Sequence, residues 1–169
     1  LMADLTKEQH IENINKVIKG VKYAMMTTIT ADEKHLHACP MTTNKNELEN
    51  GKIWFIGDRK SETIKDLEKN PQVNLSYTSS DQKDFVSING TAKLVNDKAK
   101  LDELWSPIYA AFYEKGKEDP NVQVICIECN GAQYWLSGNT VVDMFKMVSA
   151  AVQEGKTAEN MGENHSVTF

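Results

Sequence analysis

Residues 53–78 read IWFIGDRKSETIKDLEKNPQVNLSYT, and this stretch decides the fold. Its four leading apolar residues are too few for a buried helix and form a strand that runs into a polar turn. From Ser61 a short helical pattern, Ile64 and Leu67, follows. Asn70 and Pro71 end it, because the residue before a proline is driven out of the α region. Residues 73–78 and then 85–95 return to β with no helix between them. Strict strand-helix alternation is therefore missing, which suits a closed or split barrel better than a doubly wound sheet.

The flanking sequence extends this pattern. Residues 23–30 and 36–43 are β-rich and joined by the polar turn 31–34, which predicts a hairpin. Residues 52–57 form the next strand. In the segment 85–95, Val86, Ile88, Gly90, Ala92 and Leu94 share one face, and the small residues suit a strongly bent barrel strand. A long strand region spans 122–136 and is expected to be interrupted at Asn130 and Gly131.

Helices flank these strands. Thr6 and Gln9 spell a capping box before Ile11, Ile14, Val17 and Ile18, with Gly20 as the stop, so residues 6–20 form an N-terminal helix, its body about 7–19. A helical pair is expected at 98–105 and 107–113. A C-terminal helix at 139–154 places Val141, Met144, Phe145, Val148 and Val152 on one side. The class is α+β, with about six or seven mostly antiparallel strands and peripheral short helices.

With 169 residues, 40% apolar and 25% charged, the chain has material for one buried core, so residues 1–169 are read as one domain. A net charge of −5 supplies no basic field for nucleic acid or an anionic membrane, so neither is expected as a partner. No apolar run is long enough to span a bilayer, and residues 1–20 are unlike a signal peptide. Three cysteines, Cys39, Cys126 and Cys129, are too few and odd in number for a disulfide framework. A cytoplasmic protein is expected.

The turn at residues 57–63, GDRKSET, carries the chemistry. A helix N-terminus presents free N–H groups and partial positive charge, so hydroxyls and cations there make a phosphate site. Arg59 is the one arginine among 19 basic residues, and guanidinium grips phosphate in a two-pronged fork. Lys60 adds charge, while Ser61 and Thr63 add hydroxyls. The same residues also read as a plain cap, Asp58 or Ser61, beside solvated charges.

His35, His37 and Cys39 alternate along one strand face, but side chains about 7 Å apart do not converge on a metal, and none is expected. Cys126 and Cys129 spell C-x-x-C without a following helix N-terminus, and residues three apart on a strand point to opposite faces. Trp105 and Trp135 could stack on a planar ligand or fill a core or interface. No hydrolase or nucleotide-binding motif is present, and no catalytic residue is assigned.

In order, Cys39-Pro40-Met41-Thr42-Thr43, the strand 53–56, the helix from Ser61, Asn70-Pro71-Gln72-Val73, the small-residue strand at 86–92, Leu104-Trp105-Ser106-Pro107 and Tyr134-Trp135 resemble one family. It is the general-stress-protein-26-like branch of the pyridoxamine-phosphate-oxidase-like, FMN-binding split barrels. The likeness runs from about Ile11 to the end, with Gly162-Glu163-Asn164 in its tail.

The resemblance implies a homodimer with two FMN sites at the interface. Cys39, Pro40, Met41 and Thr42 would lie along the flavin ring, Phe55, Ile56 and Gly57 would pass beside it, and the Ser61 helix start would hold the phosphate. Trp135 would pack near the ring of the partner chain. The family pattern often has Arg at the position of Cys39 and usually has Lys at that of Thr63. Both replacements remove positive charge and predict a weaker hold on FMN, for which Arg59, Lys60 or Lys65 could compensate. The function implied is a stress-related oxidoreductase passing hydride or electrons through FMN to a small substrate. A dimer that only sequesters flavin, and a degenerate barrel without cofactor, are the alternatives.

Overall fold

The structure is a computed structural model and describes residues 4–42, 45–138 and 163–169. It opens on helix α1, Lys7–Ile18. The Gln9 N–H donates to the Thr6 hydroxyl (3.2 Å) and the Thr6 N–H donates to Gln9 Oε1 (2.8 Å), so the expected capping box is formed. Ile14, Val17 and Ile18 turn its apolar stripe into the core.

Strands β1, Ala24–Ile29, and β2, Leu36–Met41, make the expected hairpin, with Met25 opposite Pro40. Strand β3, Lys52–Asp58, leads into helix α2, Glu62–Lys69. Strands β4, Gln72–Thr78, and β5, Phe85–Val95, follow, then helix α3, Lys98–Leu104, and the 3-10 segments Pro107–Ala111 and Gly116–Glu118. Thus the second half of the expected helical pair is a tighter 3-10 segment, opened by Pro107 at a position with no hydrogen bond to lose. Strand β6, Val122–Leu136, and β7, Glu163–Thr168, complete the sheet. The C-terminal helix expected at 139–154 lies outside the described residues.

All strand pairs are antiparallel, in the order β2-β1-β4-β5-β6-β3, with β7 on the second half of β6. The fold class is the α+β barrel architecture expected. The expected interruption at Asn130 is a bulge: Gly90 faces Cys129 while Asn89 faces Gly131, leaving Asn130 as the extra residue. Here Gly90 is required. A Cβ on it would stand 2.6 Å from the Glu128 carbonyl oxygen, which is backbone and cannot yield. Gly90→Ala is therefore expected to destabilise the chain by about 1–3 kcal/mol, read as a melting point lower by several degrees.

Strand β3 is buried on both faces, which is why its sequence is continuously apolar. Ile53 and Phe55 enter the barrel core beside Leu75, Ile88, Ile125 and Tyr134. Ile56 faces a second cluster with Leu104, Tyr109, Tyr113, Val122 and Val124, against which Trp54 also packs.

Candidate functional site

A tight turn joins β3 to α2. Asp58 Oδ1 accepts from the Lys60 N–H (2.9 Å), its carbonyl accepts from the Ser61 N–H (2.9 Å), and the Arg59 N–H donates to the Asn121 carbonyl (2.8 Å). Ser61 is the cap, its hydroxyl accepting from the Ile64 N–H at 3.3 Å. The cap and the anion site are thus built from the same residues.

Beside this turn is a cleft of about 270 Å³. Cys39, Pro40, Met41 and Thr42 from the end of β2 form one side, and Ile56, Gly57 and Asp58 from β3 another. Ser61, Thr63 and Ile64 bring in the start of α2, and Ile125 of β6 adds an apolar side chain. Gly57 lines the cleft, and a Cβ on it would meet Ile125, Ile64 and Met41 at 3.0, 3.6 and 3.7 Å, so these side chains pack directly on its backbone.

Thr63 is only 3% exposed, yet its hydroxyl has no hydrogen-bond partner among the described residues. The hydroxyl is not sealed inside but opens on the cleft, where a group from outside the chain can reach it. The charges nearby divide unevenly. Lys65 is occupied by Glu62 at 2.7 Å, whereas the Arg59 and Lys60 side chains, both exposed, have no ion-pair partner among the described residues.

The remaining wall is aromatic: Tyr109, Phe112 and Tyr113. Burial pushes the Tyr113 hydroxyl up to about 12, with Asp58, Tyr109 and Asp119 adding to the effect. Sequence reasoning placed these rings in a helical pair and gave them no site role. The aromatic run YAAFY at residues 109–113 was the only local signal.

A second omission is Asp66 of α2, 2% exposed. The Thr28 hydroxyl donates to its Oδ2 (2.8 Å), the Ala31 N–H to its Oδ1 (2.9 Å), and His37 Nδ1 lies 3.1 Å from Oδ2. This carboxylate ties α2 to β1 and to the strand that ends in the cleft. His37 is thereby engaged, while His35 stands exposed and Cys39 half-buried. Among the described residues no group of three metal-ligating side chains comes together.

Of the residues singled out from sequence, Cys39, Pro40, Met41, Thr42, Ile56, Gly57, Ser61 and Thr63 share the cleft. Arg59 and Lys60 flank it on the turn. The Phe55 side chain is fully buried in the barrel core, so only its backbone passes the site. Trp135 lies in the far half of β6, facing Phe85 and Asn164, 37% exposed and outside this chain's own cleft. Another cleft, about 250 Å³ beside α3, has rim charges that are paired with each other, Lys117 with Asp102 (2.7 Å) and Lys98 with Glu118 (3.5 Å), or used as the helix cap, Asp97 accepting from the Lys100 N–H (2.9 Å).

The model of the family described as pyridoxamine 5'-phosphate oxidase like matches residues 9–158. The chain belongs to that family. Among curated proteins, Protein bli-3 of Neurospora crassa is 26% identical over 166 residues, covering 94% of this chain and 79% of that protein. Among solved structures, the general stress FMN/FAD binding protein of Xanthomonas citri is 30% identical, with a TM-score of 0.66 over 80% of this chain and 93% of the other. A Clostridium acetobutylicum protein related to general stress protein 26 matches at a TM-score of 0.69 over 97% of each chain. At 16% identity it supports the fold alone. The family is the one the ordered motifs resembled, and its fold is the one described above.

Proposed function

We propose that this family member binds FMN in the cleft and acts as a stress-related oxidoreductase on a small substrate. The observation that carries the reading is the Thr63 hydroxyl at the start of α2, which has no partner among the described residues and opens on a cleft lined also by Ser61 and Gly57. The Xanthomonas citri relative, described as FMN/FAD binding, supports it.

Ser61, Thr63 and the first N–H groups of α2 would hold the phosphate, with Arg59 and Lys60 supplying charge. Cys39 to Thr42, together with Ile56 and Gly57, would flank the ring. FMN, when bound, supplies hydride or electron transfer. The protein's own part is to orient the ring and to exclude water with Met41, Ile56, Ile64 and Ile125.

The same reading makes the protein a homodimer. A cleft of about 270 Å³ lies just under the ~300–1,000 Å³ of pockets that enclose a drug-sized ligand, so one chain holds part of FMN and a partner would complete the enclosure. The outer sheet face supplies a surface for that partner. One row across it reads Pro40, Met25, Ser76, Ser87, Gln133 and Ser166, and the next reads Ala38, Thr27, Asn74, Asn89, Gly131 and Thr168. No charge occurs in either row, in a chain one quarter charged, and Phe85 with Trp135 adds exposed aromatic area at one end. Trp135 would reach the partner's site from there. Charge is depleted at interface centres, which favours this face. Met25→Glu is expected to leave a species near 19.0 kDa by sedimentation, whereas the unmodified chain sediments at about twice that mass.

The three cysteines are free, in keeping with a reducing cytoplasm. The deciding experiment is a titration of native protein with FMN, followed by addition of NADH or NADPH. Absence of binding would overturn the flavin reading. Bound flavin that no pyridine nucleotide reduces would favour sequestration instead.

A further inference from the structure

The cleft has one wall that the phosphate and ring contacts leave unused. Trp105 lies against both of its tyrosines, with ring centroids 5.5 Å from Tyr109 and 6.1 Å from Tyr113, so the wall is fixed before any ligand arrives. The Tyr109 hydroxyl is already engaged, 3.4 Å from the Thr42 carbonyl. That of Tyr113 has no hydrogen-bond partner among the described residues, although the residue is only 7% exposed. Phe112 lines the same cleft and is 75% exposed, so its ring stands at the mouth with its surface open.

We propose that Phe112 and Tyr113 form a second subsite, beside the flavin, for a neutral planar ring bearing a carbonyl, the quinone class. Phe112 offers the stacking face. The Tyr113 hydroxyl, a phenol protonated at neutral pH like any tyrosine, has no acceptor among the described residues, and a ring carbonyl supplies one. At Tyr113 the charge that is felt is that of the Asp58 carboxylate, which favours a neutral ligand at this end, whereas at the start of α2 Arg59 and Lys60 offset it. Phe112, 75% exposed, sets the second ring at the mouth, outside the part of the cleft between Gly57 and Thr63 that the cofactor would take. The inference rests on the flavin reading for its place beside the cofactor, and not for the binding itself.

Duroquinone is a suitable probe because its ring is fully substituted and resists addition of the Cys39 thiol. Its binding is measured by quenching of protein fluorescence for protein alone, and by calorimetry for protein loaded with FMN. Unmodified protein is expected to bind it, and Tyr113→Phe and Phe112→Ala to weaken that binding about 10-fold each while FMN affinity changes less than about two-fold. Failure of the unmodified protein to bind duroquinone, or equal binding by all three proteins, overturns the subsite. Equal weakening of FMN and duroquinone also overturns it, since the wall then belongs to the flavin site. Duroquinone binding that depends on Tyr113 in a protein that takes up no FMN upholds the subsite and rejects the flavin reading.

Discussion

Asp66→Ala is expected to lower the stability of the fold by roughly 3 kcal/mol, more than any other single polar substitution among the residues described. The carboxylate lies at 2% exposure and gathers the Thr28 hydroxyl, the Ala31 N–H and His37 Nδ1 within 3.1 Å. Thr28 is itself 1% exposed, and alanine would leave its hydroxyl only the longer contact to the His37 carbonyl (3.4 Å) and strip the Ala31 N–H of its acceptor. For a chain of this length the loss corresponds to a melting point lower by about 6–12 °C. Asp66→Asn retains an oxygen for the Ala31 N–H and should lose roughly half as much. Thermal melts of the two variants check this. Equal, small losses would show that the three contacts contribute little.

Thr63→Val is expected to weaken FMN binding about ten- to a hundred-fold, since a hydrogen bond to a charged group contributes ~1.5–3 kcal/mol. The change keeps the shape of a side chain that is 3% exposed and removes only the unpartnered hydroxyl, so the fold is left intact. Riboflavin, which lacks the phosphate, should bind both proteins alike. Arg59→Ala should weaken FMN about ten-fold at low salt and progressively less as ionic strength rises, because this exposed guanidinium acts through a screened field. Fluorescence titration of free flavin measures each constant. If Thr63→Val and Arg59→Ala both bound FMN like the unmodified chain, the turn at 57–63 would be a helix cap and nothing more.

What the sequence disclosed was local. The box of Thr6 and Gln9, the hairpin of β1 and β2, and the turn before α2 are all written in neighbouring residues, and each formed as expected. Strand β3 shows where local reading stops. Its unbroken apolar run says that both faces are buried, and for that reason does not say that Phe55 enters the barrel while Ile56 borders the cleft. Strand β7 is polar, ENHSVT, and holds its place because the far half of β6 offers it an edge. The aromatic wall reaches the anion turn only because β6 and β3 pair at Ile56 and Val124, a register no window along the chain contains. Asp66 looked like one more acid on a short amphipathic helix. Its importance comes from the β1–β2 hairpin, strands and turn together, which precedes it by some thirty residues in the contacts at Thr28, Ala31 and His37.

The pairing of β3 with β6 also sets the order in which the molecule can assemble. Among the described strands β3 pairs with β6 alone, and that partner is made only after β4, β5, α3 and both 3-10 segments. During synthesis, residues 53–56 therefore wait unpaired as an apolar, β-prone strand while most of the chain is still to come. The closure that ends this exposure is a long-range one, and slow for that reason. It is the same event that creates the cleft. A ligand there can reward only a finished barrel, and a chain halted before β6 would present a sticky strand with no pocket beside it.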